Sequence, residues 1–151
     1  MDIQTLLKDI LAQLTFTNTS ISIEENEDHI KCIIEVDEAD SGILIGYHGE
    51  KIDALQLITN IISNYKSDEY KPIQIDIAGY RERRRQSLED LAKKASFKAL
   101  ESGREILLPP LPAYERRIIH SFLGDDSQVE TYSEGEGRNR RLVVRPSQKT
   151  T

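Results

Sequence analysis

Two glycines bracket a pair of aromatic rings in the stretch GYHG, where Gly46 and Gly49 interrupt an apolar, helix-like run. A turn placed ahead of a helix presents backbone N–H groups at the positive end of that helix, where anionic phosphate binds readily. Glycine also lets a nucleic-acid backbone approach closely. The stretch therefore predicts a phosphate-binding turn: Tyr47 stacks on a base, His48 contacts phosphate and Lys51 is the nearest fixed cation. The alternative is a plain corner between two helices.

A second group of reactive side chains lies in the stretch YERRIIHSFL. Arg116 and His120 are four residues apart, so they are neighbours on one face of a helix, and Arg117 lies beside them. The helical spacing predicts that the opposite, buried side carries Tyr114, Ile118, Ile119, Phe122 and Leu123. Taken alone, the pattern fits a solvated polar face as well as a contact to phosphate or to a base edge.

Basic residues elsewhere in the second half favour the phosphate contact. The segment RERRR, 81–85, places four arginines where a helix begins, although positive charge there opposes the helix dipole. Phosphate contact is the simplest use for them, and Arg84 is our candidate. The glycine-containing turn SEGEGRNRR adds Arg140 and Arg141. Residues 1–79 carry 5 Lys/Arg and 15 Asp/Glu, net −10, whereas residues 80–151 carry 15 and 11, net +4. A polyanion would therefore meet the second half.

Composition excludes several other classes of protein. No run approaches the length of a membrane span, and the first residues lack a secretory signal. Cys32 is the only cysteine, so an internal disulfide is impossible and a cytoplasmic location is expected. We find no phosphate-binding P-loop, no metal-ligand cluster and no nucleophile–base motif. We therefore expect no catalytic activity, no cofactor and no metal.

Periodicity predicts the order of the elements. Helical spacing indicates helices over 2–15, 41–47 (capped by Ser41), 50–64, 80–102 and from Pro112 to about 123. Apolar or alternating runs indicate strands over 19–24, 29–36, 72–78, 128–133 and 140–145. In the long helix the buried stripe is expected to comprise Leu88, Leu91, Ala92, Ala95, Ala99 and Leu100.

These residues resemble a known family. The motif I-G-x-x-G-x-x-I between two helical segments, after two strands and before a third, resembles a KH domain of the type II topology. The string LPPLPAYERRIIHSFLGDDSQVETYSEGEGRNRRLVVRP is similar to the C-terminal R-x-x-x-H domain of the bacterial Jag family (SpoIIIJ-associated proteins, also called KhpB or EloR). The resemblance implies an α+β fold: a type II KH domain (α-β-β-α-α-β) over 1–79, a small α/β R-x-x-x-H domain over 80–146, and a frayed tail over 147–151.

The resemblance also implies a function. It suggests a cytoplasmic protein that binds single-stranded RNA, or single-stranded DNA, and acts in post-transcriptional regulation linked to cell elongation or envelope growth. A small stand-alone KH protein and a second copy of the chain are the implied protein partners. The alternative is a protein-interaction module that docks a partner through the KH or the basic surface without significant RNA binding.

Three departures from the family pattern bear on this function. Tyr47 and His48 stand where the family usually has a basic residue in the loop, and the KH half is unusually acidic. Many members also have a further N-terminal domain, whereas Met1 lies next to the first KH helix, so functions that need that domain are left out of what the resemblance implies.

Overall fold

A computed structural model describes residues 2–148 of the chain. Contacts divide the chain into two compact units, one up to Arg81 and the other from Glu82 onward. The elements in chain order are α1 (Ile3–Gln13), β1 (Ser20–Glu25), β2 (Ile30–Glu35), α2 (Glu38–Ile45), a 3₁₀ turn (Tyr47–Gly49), α3 (Glu50–Ser63), β3 (Ile73–Ile77), α4 (Tyr80–Ser102), β4 (Ile106–Leu107), α5 (Ala113–Leu123), β5 (Val129–Glu134), a second 3₁₀ turn (Gly137–Asn139) and β6 (Arg141–Pro146).

The first unit has the predicted α-β-β-α-α-β order. Its sheet has the strand order β1-β2-β3, in which β1 and β2 form the expected antiparallel hairpin and β3 lies parallel to β2. Every second residue of β2 is buried, because alternate side chains of a strand point to the same face. The helices cover this face with apolar side chains. The most deeply buried members of the core are Leu7, Leu11, Cys32, Ile34, Ile52, Ile75 and Ile77.

Side chains close the outer edge of β3, which would otherwise expose unpaired backbone groups. Gln56, Asn60 and Asn64 recur every four residues along α3 and its C-terminal end and therefore form one stripe of amides. The Asn60 amide accepts from the N–H of Ile73 at 2.8 Å and donates to its carbonyl at 2.7 Å. Gln56 accepts from the N–H of Ile75 at 2.8 Å. The polar stripe thus fixes α3 on the sheet.

The second unit is built on an antiparallel sheet with the order β4-β6-β5. Helices α4 and α5 contribute to its core together with β5 and β6. The buried residues of this core are Leu88, Ala92, Ala95, Ala99, Leu108, Leu111, Ile119, Leu123, Val129, Leu142 and Val144. The sequence analysis did not predict β4, which is only two residues long and follows Gly103, the glycine after α4 that has a φ of +65°.

The predicted start of α2 was wrong. The helix begins at Glu38 with Asp37 as its N-cap residue, and Ser41 lies inside it, where its hydroxyl donates to the carbonyl of Glu38. Glu38 and Asp40 occupy the first turn, where negative charge interacts favourably with the helix dipole. The helix also ends at Ile45 rather than at Tyr47.

The predicted buried face of α5 was partly wrong. Ile119 and Leu123 are buried, but Tyr114 and Phe122 are exposed to 37% and 36%. The third buried residue of the helix is Glu115, which has no solvent exposure. A similar shift occurs in α4, where Ser96 is buried and Leu100 is 41% exposed. In each helix, the face that packs on the core is therefore shifted around the helix axis from the face predicted from apolar residues alone.

At the C-terminal end of the chain, the N–H of Ser147 donates to the carbonyl of Gln128 at 2.7 Å. The predicted frayed tail begins at this residue, and its last three positions, 149–151, lie outside the described residues. None of the helices within residues 2–148 combines the length and the apolar character needed to cross a membrane.

Candidate nucleic-acid interface

The GYHG turn has a backbone shape that depends on its glycines. Gly46 ends α2 with a φ of +72°, and Gly49 precedes α3 with a φ of +77°. Such values favour glycine because a Cβ is strained there. Between them His48 also has a positive φ of +53°. The Tyr47 side chain is 73% exposed, and its ring meets the His48 imidazole edge-on with 3.9 Å between the centroids. The turn therefore presents an aromatic ring to solvent.

Charges around this turn are nearly balanced. Glu50 and Asp53 occupy the first turn of α3, where they oppose the approach of an anion. The Arg81 guanidinium pairs with Asp53 at 3.3 Å and neutralises it. Lys51 follows Glu50 directly, and its side-chain carbons lie against Gly46. The predicted cation is therefore in contact with the turn.

In the second unit, α5, β5, β6 and the turn before β6 line an open basic cavity of about 320 Å³. Its lining residues are Ala113, Arg116, Arg117, His120, Tyr132, Ser133, Arg140 and Leu142. The structure thus brings together four of the predicted site residues: Arg116, Arg117, His120 and Arg140. Two nitrogens of Arg116, Nε and Nη1, are buried and have no hydrogen-bond partner within residues 2–148. Buried N–H donors without an acceptor are costly, so this guanidinium is suited to an anionic ligand.

Neighbouring residues orient the other basic groups of the cavity. Nδ1 of His120 is hydrogen-bonded to the hydroxyl of Thr131 on β5, which fixes the plane of the imidazole. Nη1 of Arg140 donates to the carbonyl of Gly135 at 2.9 Å. Gly135 has a φ of +85°, and a Cβ there would lie 3.1 Å from the carbonyl oxygen of Asn139. The β5–β6 turn therefore requires glycine in order to hold Arg140 at the cavity.

Tyr132 is a cavity residue that the sequence analysis missed. Its hydroxyl donates to Oε1 of Glu105 at 3.0 Å, and this hydrogen bond is the main reason that the pKa of the phenol is raised. The guanidinium carbon of Arg145 lies 5.1 Å from the centre of the ring, within cation–π range. Arg145 also pairs with Glu130 at 3.3 Å. The ring is thus fixed in place, as a platform for base stacking needs to be.

The arginines at the start of α4 have acidic partners within the chain. Nε and Nη2 of Arg84 donate to the two carboxylate oxygens of buried Glu115, at 2.7 and 2.9 Å. Arg85 pairs with Glu82 and Glu89 at 2.7 and 2.8 Å. Acidic partners within the chain therefore explain the positive charge at this helix start. Arg84 is not among the residues that line the cavity.

Arg141 also lies apart from the cavity lining, on β6, where it stands opposite Glu134 in the sheet register. The sequence analysis missed the Arg84–Glu115 pair. Two features of the sequence could have revealed it: the acid within the apolar stripe of α5 and the arginine cluster on α4. Within the described residues, no group of three or more His, Cys, Asp or Glu side chains is arranged to hold a metal ion.

Comparison with known proteins agrees with the fold and with both motifs. The family model described as the KhpA/KhpB KH domain matches residues 3–75, and the family model of the R-x-x-x-H domain matches residues 86–146. Proteins named RNA-binding protein KhpB are similar over most of the chain. The relative from Clostridium symbiosum is 39% identical over 124 residues, which are 82% of this chain and 56% of the relative.

Two further relatives with the same name show the same similarity. The Bacillus subtilis protein is 32% identical over 136 residues, covering 89% of this chain and 64% of the relative. The Lactiplantibacillus plantarum protein is 34% identical over 111 residues, covering 74% of this chain and 34% of the relative. The chain therefore spans between about a third and two thirds of the length of these relatives. The predicted fold class and the predicted resemblance are confirmed, and the chain belongs to the KhpB (Jag) family, with a KH domain followed by an R-x-x-x-H domain.

Proposed function

We propose that this protein binds single-stranded RNA by combining a contact at the GYHG turn with a phosphate site in the basic cavity of the second unit. The observation that carries the proposal is Arg116, whose Nε and Nη1 are buried without an acceptor in the described part of the chain. A phosphate oxygen would satisfy these donors with charge-assisted hydrogen bonds once the guanidinium turns them toward the cavity. Arg117, His120 and Arg140 line the same cavity and add positive charge around such a ligand.

Aromatic rings at both sites favour a single strand over a duplex. Tyr47 is exposed on the turn, and Tyr132 lines the cavity. Unpaired bases can stack on such rings, whereas the bases of a duplex are already stacked on one another. The relatives named RNA-binding protein KhpB support RNA as the physiological strand, and single-stranded DNA is the natural comparison ligand.

The wider role rests on the family resemblance. We propose a cytoplasmic protein that acts in post-transcriptional regulation linked to cell elongation or envelope growth, with domain limits of 1–79 and 80–146. Among the arginines named from the sequence, Arg116, Arg117 and Arg140 support the interface through their place at the cavity. Arg84, which is paired with Glu115, and Arg141, which lies opposite Glu134, remain in the proposal from the sequence analysis alone.

Fluorescence anisotropy with a labelled single-stranded RNA tests this function. Arg116→Ala should weaken binding. It should also make the fall of log K with log salt shallower by about 0.7, the value for one lost phosphate contact on a single strand. Arg104→Ala is the matched control, because Arg104 is an exposed arginine of the same unit that does not line the cavity. Equal affinities for the two variants would contradict the proposal, as would binding of duplex RNA as tight as that of single strands.

A second candidate function is protein docking, which the exposed apolar surface of the KH unit favours. Several large side chains on its helices are between 44% and 60% exposed: Leu14, Ile43, Leu57, Ile58, Ile61 and Ile62. Leu14, Ile43 and Ile58 line an apolar groove of about 630 Å³. Contiguous exposed apolar surface often marks a protein interface. A small stand-alone KH protein or a second copy of the chain is the partner that the family resemblance implies.

Sedimentation analysis tests this candidate and separates it from RNA binding. If the apolar face of α3 forms a dimer, Leu57→Glu should shift the protein to monomer, while Arg116→Ala leaves the mass unchanged. A monomeric wild type whose mass stays constant at high concentration and with a stand-alone KH protein present would rule out docking. Dimer formation without any affinity for RNA would make docking the main function.

A further inference from the structure

Lys51 is the basic residue of the KH unit that lies next to the GYHG turn. The described basic residues up to 81 are Lys8, Lys31, Lys51, Lys66, Lys71 and Arg81. Lys71 is paired with Glu25 at 2.7 Å, and Arg81 is paired with Asp53. Lys51 is exposed on the first turn of α3 and forms no ion pair or hydrogen bond with any residue in the range 2–148. Its ammonium group is therefore not engaged by another side chain of the described residues.

The stem of Lys51 lies directly over Gly46. A Cβ on Gly46 would lie 2.7 Å from Cγ of Lys51, 3.1 Å from its Cδ and 3.2 Å from its Cβ. The first of these distances is shorter than real Cβ contacts, so alanine at this position would displace the lysine stem. Gly103 provides a contrast, because it has a similar φ of +65° but no atom within 4 Å of the place that a Cβ would occupy. Gly46 thus has a steric role in addition to its conformational one.

From this contact we propose that Lys51 supplies the positive charge that binds phosphate at the GYHG turn, and that Gly46 is a positioning residue which lets the lysine stem lie across the turn. The inference deepens the proposed function and rests on it. Tyr47 and His48 occupy the two loop positions where a lysine or arginine would give the turn itself a permanent positive charge. Glu50 would leave the helix start negative if Lys51 were absent.

Packing of the Lys51 stem on Gly46 should reduce the entropy that the side chain loses when it binds phosphate. A free lysine side chain loses considerable rotamer entropy when its ammonium group is fixed on a ligand. A stem that already rests on Gly46 has fewer conformations to lose, so part of this entropy loss occurs before the ligand binds. The phosphate-binding cation, Lys51, thus lies in the first helical turn after the loop. Its aliphatic stem packs against Gly46, the first glycine of the loop.

A double-mutant cycle on the full chain tests the proposal, with anisotropy of labelled single-stranded RNA as the measurement. Lys51→Ala should weaken binding about three- to fivefold, as expected for an exposed ion pair. It should also make the fall of log K with log salt shallower by about 0.7. Lys51→Arg should retain the wild-type slope. Gly46→Ala should weaken binding more in the Lys51 protein than in Lys51→Ala, where the clash with the stem is gone and only the backbone strain at the positive φ remains.

Two controls separate this proposal from simple loss of structure. Gly103→Ala introduces alanine at a similar φ in open space and should leave RNA affinity unchanged. The thiol of buried Cys32 should stay protected in Gly46→Ala, which shows that the KH unit is folded. Equal effects of Gly46→Ala with and without Lys51 would overturn the positioning role. Unchanged affinity of Lys51→Ala, with Arg116→Ala still impaired, would overturn the lysine assignment alone. A wild type without affinity for RNA would remove the proposed function as well.

Discussion

The second unit should depend strongly on Arg84, because this side chain is the counter-ion of buried Glu115. Glu115 has no exposed side-chain surface, and the Arg84 side chain is 28% exposed. Both carboxylate oxygens accept hydrogen bonds from Arg84, at 2.7 and 2.9 Å. Removing one partner of a buried pair costs about 3–5 kcal/mol, because the other charge is left uncompensated. Since Arg84 is partly exposed, we expect Arg84→Ala to lower the unfolding free energy of the second unit by about 3 kcal/mol.

Amide hydrogen exchange is the suitable assay, because the chain has two units and no tryptophan to report on either. The amides of buried Ile119 and Val143 should exchange about a hundredfold faster in Arg84→Ala, since each 1.4 kcal/mol is about tenfold. Arg85→Ala is the matched control on the same helix, because the Arg85 side chain is 50% exposed in its ion pairs with Glu82 and Glu89. Exposed pairs contribute little, so exchange should change only slightly. Equal acceleration in the two variants would refute the assignment of Arg84 as an internal counter-ion.

Three further predictions concern single side chains. Burial raises the pKa of Cys32 to about 11, so thiol reagents should label the native protein slowly at mildly alkaline pH and rapidly after unfolding in urea; rapid labelling of the native protein would contradict this burial. The hydrogen bond to Glu105 raises the pKa of Tyr132, so its contribution to stability is present below the ordinary tyrosine pKa and is lost as pH rises through the folded value. An NMR titration of the ring should show this pKa falling in Glu105→Ala, and an unchanged value would count against the bond. Gly49→Asp places a negative charge in the turn and should abolish KH-dependent RNA binding while circular dichroism shows the fold retained; unchanged affinity in a folded variant would remove the turn from the interface.

Local patterns were sufficient to predict most of the fold. Alternation in β2 and β3 and the helical spacing of α1, α3 and α5 depend on which side chains face the core, and sequence periodicity records this directly. The start of α2 was misplaced because Ser41 is a good capping residue by type, whereas Asp37 precedes an acidic first turn that suits the helix dipole. The two residues of β4 carry no periodicity that could have revealed them.

The candidate interface was only partly predictable, because its partners come from different elements. Spacing alone placed Arg116, Arg117 and His120 on one helix face, and the structure adds Tyr132 from β5 and Arg140 from the end of the β5–β6 turn. The sequence also did not reveal that Arg84 has an acidic partner within the chain. This partner is Glu115, 31 positions further along the chain, and only the packing of α4 against α5 brings the two together.

The most direct test of the account is an NMR titration of the isotope-labelled chain with an unlabelled single-stranded RNA. The account predicts that the largest shift changes fall in two places: the GYHG turn with Lys51, and the cavity formed by Arg116, His120 and Arg140. Changes confined to the apolar surface around Leu57, or no changes in either site at RNA concentrations that saturate a related KH protein, would contradict binding of single-stranded RNA through these two sites.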